Sequence, residues 1–252
     1  MSDLHQRSIP RQPITIRLGG QTRTLTRSEV LAWESKRAVK ALRRLGAAEP
    51  KGNIDELRNA VVEAKMALGR QEIQRNLGRQ VIWSDRLTRI VARASGRHRR
   101  MCQVELFLPN GSAKALPAWY FDRAERDDEA AFLLACPDHH LFRLLPDGRQ
   151  EVWETTGGSP LASRFFFTMG ETNHLITPAD PCYPVQMTGA ARLADGTVIG
   201  GIRHQFRDET GGMRALLSVE YPWLMGPIAV AMHRWHVACE FSVWAEAANP
   251  VH

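Results

Sequence analysis

The sequence predicts an α+β protein. A basic, mainly helical region (residues 1–100) precedes a curved antiparallel sheet that wraps around one long C-terminal helix (residues 101–252). Three observations carry this. Apolar stripes with helix caps fill the first hundred residues. Alternating segments punctuated by Pro109-Asn110-Gly111, Pro146-Asp147-Gly148 and Ala194-Asp195-Gly196 follow. A last helical pattern runs from about Pro227 to Ala248, with proline in its first turn.

The elements follow in order. Ile14 to Leu18 and Thr22 to Leu25 read as a short hairpin about Gly19-Gly20. Thr26-Arg27-Ser28-Glu29 is a capping box, and Gly46 ends the helix it starts. Asn53-Ile54-Asp55-Glu56 starts a second helix with the stripe Leu57, Val61, Val62, Ala64 and Leu68, and Gly69 stops it. Helix is predicted again over Gln71–Val81, and Ser84 caps another that runs to about Ala94. Arg97-His98-Arg99-Arg100 reads as a linker or a solvated helix end. Strands or hairpins are predicted at Gln103–Leu108, His140–Leu145 with Glu151–Thr156, Arg164–Thr168, Val185–Leu193 with Val198–Arg207, and Met213–Tyr221. Trp119-Tyr120-Phe121 opens a stretch that becomes helical through Glu129–Ala135. A curved sheet closed by a helix encloses a pocket suited to an apolar ligand.

The chain has 252 residues and a formal net charge of +6, unevenly shared. Residues 1–100 carry +13 and residues 101–252 carry −7. A basic surface for nucleic acid, anionic lipid or an acidic partner is one reading of the first part. The other is a set of helices packed on the acidic part or on a second copy. Nucleic acid is not expected, because the charges lack interleaved aromatics and no binding motif is present. The longest apolar stretch, Leu224 to Met232, is far too short to span a bilayer, so no membrane is expected. The start of the chain lacks an apolar signal core, and the four cysteines show no CxxC spacing. Both features predict reduced thiols and a cytoplasmic location. A homo-oligomer is left open.

The terminal helix carries the first site candidates. His236 and Glu240 are spaced i, i+4 and share a face, with His233 near it. An imidazole and a carboxylate one turn apart can grip one divalent cation. Trp235, Phe241 and Trp244 imply that this helix is buried, and buried His and Glu need partners. No GxSxG elbow or phosphate loop occurs; Gly157-Gly158-Ser159 lacks the GK[ST] ending.

The segment Gly200-Gly201-Ile202-Arg203-His204-Gln205-Phe206-Arg207-Asp208, then Gly212-Met213-Arg214, then His236-xxx-Glu240, resembles the phloretin hydrolase and diacetylphloroglucinol hydrolase family. The resemblance covers about residues 119–248 and is most specific near the C-terminus. It implies a Bet v 1-like helix-grip fold and a zinc-dependent hydrolase that cuts a carbon–carbon bond between a phenolic ring and an acyl group. Two His and two Glu would hold the zinc, and the last pair carries over to His236 and Glu240. Glu154 falls where the family's first Glu would lie, and Pro137-Asp138-His139-His140 looks like a further family segment. The first family His is expected 31 residues before that Glu, where this chain has Arg123 next to Asp122. Asp122, His139 or His140 then remains as the fourth ligand, or none does. A second register, His140 with Glu171, has the same spacing.

Under this resemblance His204 is the candidate general acid, and Tyr120 and Tyr183 are candidates to orient phenolic hydroxyls. Trp153, Phe165, Phe167, Trp223 and Trp235 could line an aromatic pocket or simply fill the core. His174 and His233 read as structural. The substrate would be a small aromatic or polyketide-like molecule. Two alternatives stand beside the hydrolase: a metal-free protein that binds or isomerises such a ligand, and an interaction module that uses the basic helices.

Overall fold

A computed structural model describes residues 11–19 and 23–250. Its frame is one antiparallel sheet in the order β2-β1-β3-β9-β8-β7-β6-β5-β4. The strands are β1 (Thr15–Leu18), β2 (Thr24–Thr26), β3 (Arg99–Pro109), β4 (His139–Leu144), β5 (Gln150–Glu154), β6 (Ser163–Met169), β7 (Val185–Arg192), β8 (Val198–Glu209) and β9 (Gly212–Pro222). The helices are α1 (Arg27–Leu45), α2 (Ile54–Ser95), α3 (Ala115–Glu125), α4 (Glu129–Ala135) and α5 (Pro227–Ala248). The α+β expectation therefore holds, and no described helix is long and apolar enough to cross a membrane.

Local chemistry explains most boundaries. Glu29 accepts from the Thr26 backbone N–H at 2.8 Å, which completes the capping box of α1. The Asn53 side chain accepts from the N–H groups of Asp55 and Glu56 and starts α2. Gly20 and Thr22 of the expected β1–β2 turn lie outside the described residues.

Two expectations change and one holds within a longer element. Gly69 leaves helical geometry at φ 73° and ψ 160°, so the predicted stop separates two helical stretches that together make up α2. Ser84 caps nothing: its buried hydroxyl pairs with that of Ser163 at 2.9 Å. The expected linker at Arg99-Arg100 is the start of β3, drawn into the ladder by pairing with Tyr221 and Pro222 of β9.

The division near residue 100 does not interrupt the sheet, because β1 pairs with β3. Ile14, Ile16, Leu18, Val30 and Val62 share one core with residues of β3, β8, β9 and α5. Helix α5 lies between the sheet and the helices. That position explains why it is apolar on nearly all sides. Much of the N-terminal basic surplus faces the acidic part of the same chain. Arg27 pairs with Glu246, Arg37 with Asp138, Arg70 with Asp127 and Glu129, and Arg89 with Asp195.

Candidate metal centre

Two hairpin strands and the terminal helix meet at one buried point. His139 opens β4 and stands opposite Glu154, the last residue of β5. His236 and Glu240 project from α5, one turn apart. The His139 Nε2 lies 3.1 Å from the His236 Nε2, 3.2 Å from Glu240 Oε2 and 3.8 Å from Glu154 Oε2. The His236 Nε2 lies 3.6 Å from each of the same two carboxylate oxygens. Donors bonded to zinc at 2.0–2.1 Å in a tetrahedron stand about 3.3–3.4 Å apart. The five separations lie near that spacing, and two imidazoles with two carboxylates are a donor set that suits a small divalent cation.

Their outer contacts aim the donor atoms inward. The His139 Nδ1–H donates to the Phe132 carbonyl at 2.8 Å, and so Nε2 presents its lone pair to the centre. Thr156 Oγ1 donates to Glu154 Oε1 at 2.8 Å and leaves Oε2 facing the centre. The His236 Nδ1 faces Asp138 Oδ2 at 3.8 Å. Burial would raise the Glu240 carboxyl, but the two imidazoles outweigh it and hold the group well below the usual carboxylate range. Burial opposes charge on His236; Glu154, Asp138 and Glu240 overcome it and push its pKa well above the ordinary value. The cluster is built around one positive charge, which a proton or a metal ion can supply.

Two other groupings share these residues, Glu154-His233-His236 and Cys136-His139-His236. Cys136 approaches His236 on the Nδ1 edge at 3.6 Å, and burial pushes its thiol well above the ordinary value. His233 stacks on His236 with ring centroids 5.0 Å apart, and its Nδ1 has no hydrogen-bond partner among the described residues.

The centre opens into a cavity of about 380 Å³. Phe165, Phe167, Phe241, Trp244 and Tyr221 supply much of its apolar wall. His204 on β8 lines it, meets Phe241 edge-on at 4.6 Å, and its Nδ1 has no hydrogen-bond partner among the described residues. Burial lowers His204 to about 4 against a smaller opposing effect of Glu240, so it is neutral at pH 7. Tyr120 also lines the cavity and donates to Gln150 Oε1 at 2.8 Å, and burial keeps it a phenol.

The structure thus brings together Glu154, His236, Glu240, His204 and Tyr120 from the sequence candidates. It does not bring in Asp122, which lies on the outer side of α3 and pairs with Arg126 at 2.7 Å. His139 stands where the fourth donor was sought, while the adjacent His140 does not line the cavity. Tyr183 also stays out of the cavity, its ring covered by Arg207 at 4.7 Å. Among the aromatic candidates, Phe165 and Phe167 face the cavity. Trp153 packs with Val81 and Leu141, Trp235 stacks on Trp33, and Trp223 is exposed beneath Arg100. His174 pairs with Glu171 at the surface. The resemblance singled out Arg123 for the missing His; the hairpin turn held the better signal. Counting outward from Pro146-Asp147-Gly148 along both arms brings Glu154 to His140, and a bulge between His139 and Leu141 puts His139 opposite it instead.

No family model and no curated protein matches the chain. Among solved structures, protein Ms6760 from Mycobacterium smegmatis is 15% identical with a TM-score of 0.34, covering 58% of this chain and 88% of that one. An uncharacterized protein from Rhizobium leguminosarum is 11% identical with a TM-score of 0.29, covering 58% of this chain and 97% of that one.

Proposed function

We propose that this chain is a divalent-metal hydrolase, zinc being the best-fitting ion, that cuts a carbon–carbon bond between a phenolic ring and an acyl group. The observation that carries the reading is the convergence of two imidazoles and two carboxylates at the base of an aromatic-lined cavity. It fits the resemblance to phloretin hydrolases and diacetylphloroglucinol hydrolases. We likewise read residues 101–252 as a Bet v 1-like helix-grip unit, with α5 as the gripped helix.

His139, Glu154, His236 and Glu240 would hold the ion. When bound there, it supplies Lewis acidity to an acyl oxygen and to water. The aromatic wall holds the ring flat against apolar surface and excludes bulk water. Tyr120 keeps its proton and can donate to or accept from a phenolic oxygen. Because burial keeps His204 neutral, it acts first as an acceptor. It takes the proton that water releases on attacking the acyl carbon. It then returns that proton to the ring carbon as the carbon–carbon bond breaks. The products are a carboxylic acid and the free phenol, and water is the only co-reactant.

The test is product analysis with zinc-loaded protein and a panel of acyl phenols. Paired release of acid and phenol that fails in Glu240→Gln supports the reading; intact substrates with a loaded wild type refute it.

A second reading, metal-free binding or isomerisation of an aromatic ligand, is favoured by one observation. His204 Nδ1, His233 Nδ1 and Trp244 Nε1 are buried without hydrogen-bond partners among the described residues, and all three residues line the same cavity. Such groups suffice to recognise a polar aromatic molecule. Calorimetry on metal-stripped protein separates the two: phenol binding of undiminished strength without metal supports this reading.

A further inference from the structure

Arg37 belongs to the basic N-terminal helix α1, yet its guanidinium ends beside the candidate metal ligands. Its Nε donates to Asp138 Oδ1 at 3.0 Å and Oδ2 at 3.2 Å, and Nη2 also donates to Oδ1. Thr155 Oγ1 adds a hydrogen bond to the same carboxylate at 3.2 Å. Asp138 is in turn the carboxylate that faces the His236 Nδ1, as an ion-pair contact at 3.8 Å beside the Cys136 Sγ at 3.6 Å.

The surroundings are shaped around this arrangement. A Cβ on Gly158 would lie 2.7 Å from the Arg37 Nη1, so this glycine leaves room for the guanidinium. Its neighbour Gly157 would carry a Cβ 2.7 Å from the His233 backbone nitrogen, so it lets the turn press onto α5. The Gly157-Gly158 pair that lacks a phosphate-loop ending thus has a different job. One turn before Arg37, Trp33 stacks on Trp235, the residue next to His236, at 6.5 Å. A single face of α1 therefore holds both the helix and the carboxylate behind the ligand.

We propose that Arg37 is a positioning residue for the metal centre: through Asp138 it fixes the His236 imidazole, and so the N-terminal region sets the metal affinity of the site. This rests on the reading of the four groups as a metal centre. A carboxylate behind a ligating histidine fixes the ring's tautomer and orientation and strengthens its donor nitrogen. The carboxylate does so only if it is itself held in place. A forked guanidinium holds it in one orientation, which a point charge does not.

The test measures zinc affinity of the metal-stripped full-length chain by competition with a chromophoric chelator. Four proteins are compared: wild type, Arg37→Gln, Arg37→Lys and Arg89→Gln. Arg89 also ties the N-terminal region to the acidic part, through Asp195 at 2.6 Å, but touches none of the ligands. Arg37→Gln is expected to weaken zinc binding by about 10–100-fold. Arg37→Lys should fall between that variant and wild type, and Arg89→Gln should match wild type. If wild type binds zinc and Arg37→Gln binds it equally well, the inference is overturned while the metal centre stands. If wild type takes no zinc, both fall. If Arg37→Gln does not fold, Arg37→Lys decides: weakened binding supports the inference, and wild-type affinity overturns it.

Discussion

Replacement of His139 by alanine separates the geometry of the site from the resemblance that first suggested it. His139 would supply one of the four proposed donors, and its Nε2 is 3.1 and 3.2 Å from two of the others. A metal that binds only the folded chain, at a free concentration of about 100 times its Kd, stabilises it by about 2.7 kcal/mol. For a domain of this size that corresponds to a rise in Tm of roughly 5–11 °C. Loss of an outer partner alone weakens metal binding 10–100-fold, so removal of a donor should reduce affinity by at least about 100-fold. At the same free metal the stabilisation then falls to about 0.4 kcal/mol, a shift of roughly 1 °C. Thermal denaturation in zinc buffers measures this directly. His139→Ala should abolish most of the zinc-induced shift, whereas Asp122→Ala should retain it. A full shift in His139→Ala, or its loss in Asp122→Ala, would refute the assignment of the fourth donor.

Three further outcomes follow from the same contacts. Glu246→Ala removes both hydrogen bonds of the buried Arg27 guanidinium, at 2.9 and 3.0 Å, and leaves it Glu34 at 3.9 Å; this should cost about 3 kcal/mol in urea unfolding, and a loss under about 1 kcal/mol would contradict it. His204 is held at about 4 against an ordinary 6.5, so between those values the unfolded chain binds the extra proton and stability falls as pH drops. The wild type should lose up to about 3 kcal/mol more than His204→Phe across that window, and parallel pH profiles would count against a neutral buried His204. Gly157→Ala puts a methyl 2.7 Å from the α5 backbone at φ 58°, and should destabilise by at least about 2 kcal/mol while weakening metal uptake; a neutral effect would show that the turn can retreat from α5.

The parts legible in the sequence are those governed by neighbours along the chain. The capping box at Thr26–Glu29, the Asn53 cap, the turn at Pro146-Asp147-Gly148 and the proline that opens α5 all act within one turn of chain. The His236–Glu240 pair was visible for the same reason, since helix geometry alone sets it on one face. Contacts that depend on packing were not visible. Arg99 and Arg100 join a strand because β9 is there to pair with them, not because arginine favours strands. Gly69 marks the break between the two helical stretches of α2, but that the second stretch packs against β6 depends on the fold. His139 was one of several candidates because a bulge between His139 and Leu141 decides which of two adjacent histidines faces Glu154. Tyr183 and Asp122 were read by their chemistry, but each is engaged by an arginine away from the cavity. The charge asymmetry was plain in composition; that much of it is satisfied within the chain required the fold.

The most direct measurement is anomalous diffraction at the zinc edge from crystals of the zinc-loaded protein. The account predicts one strong peak about 2 Å from the Nε2 atoms of His139 and His236 and from a carboxylate oxygen of Glu154 and of Glu240. A loaded crystal with no peak among these four groups, or with its peak at other residues, would contradict it.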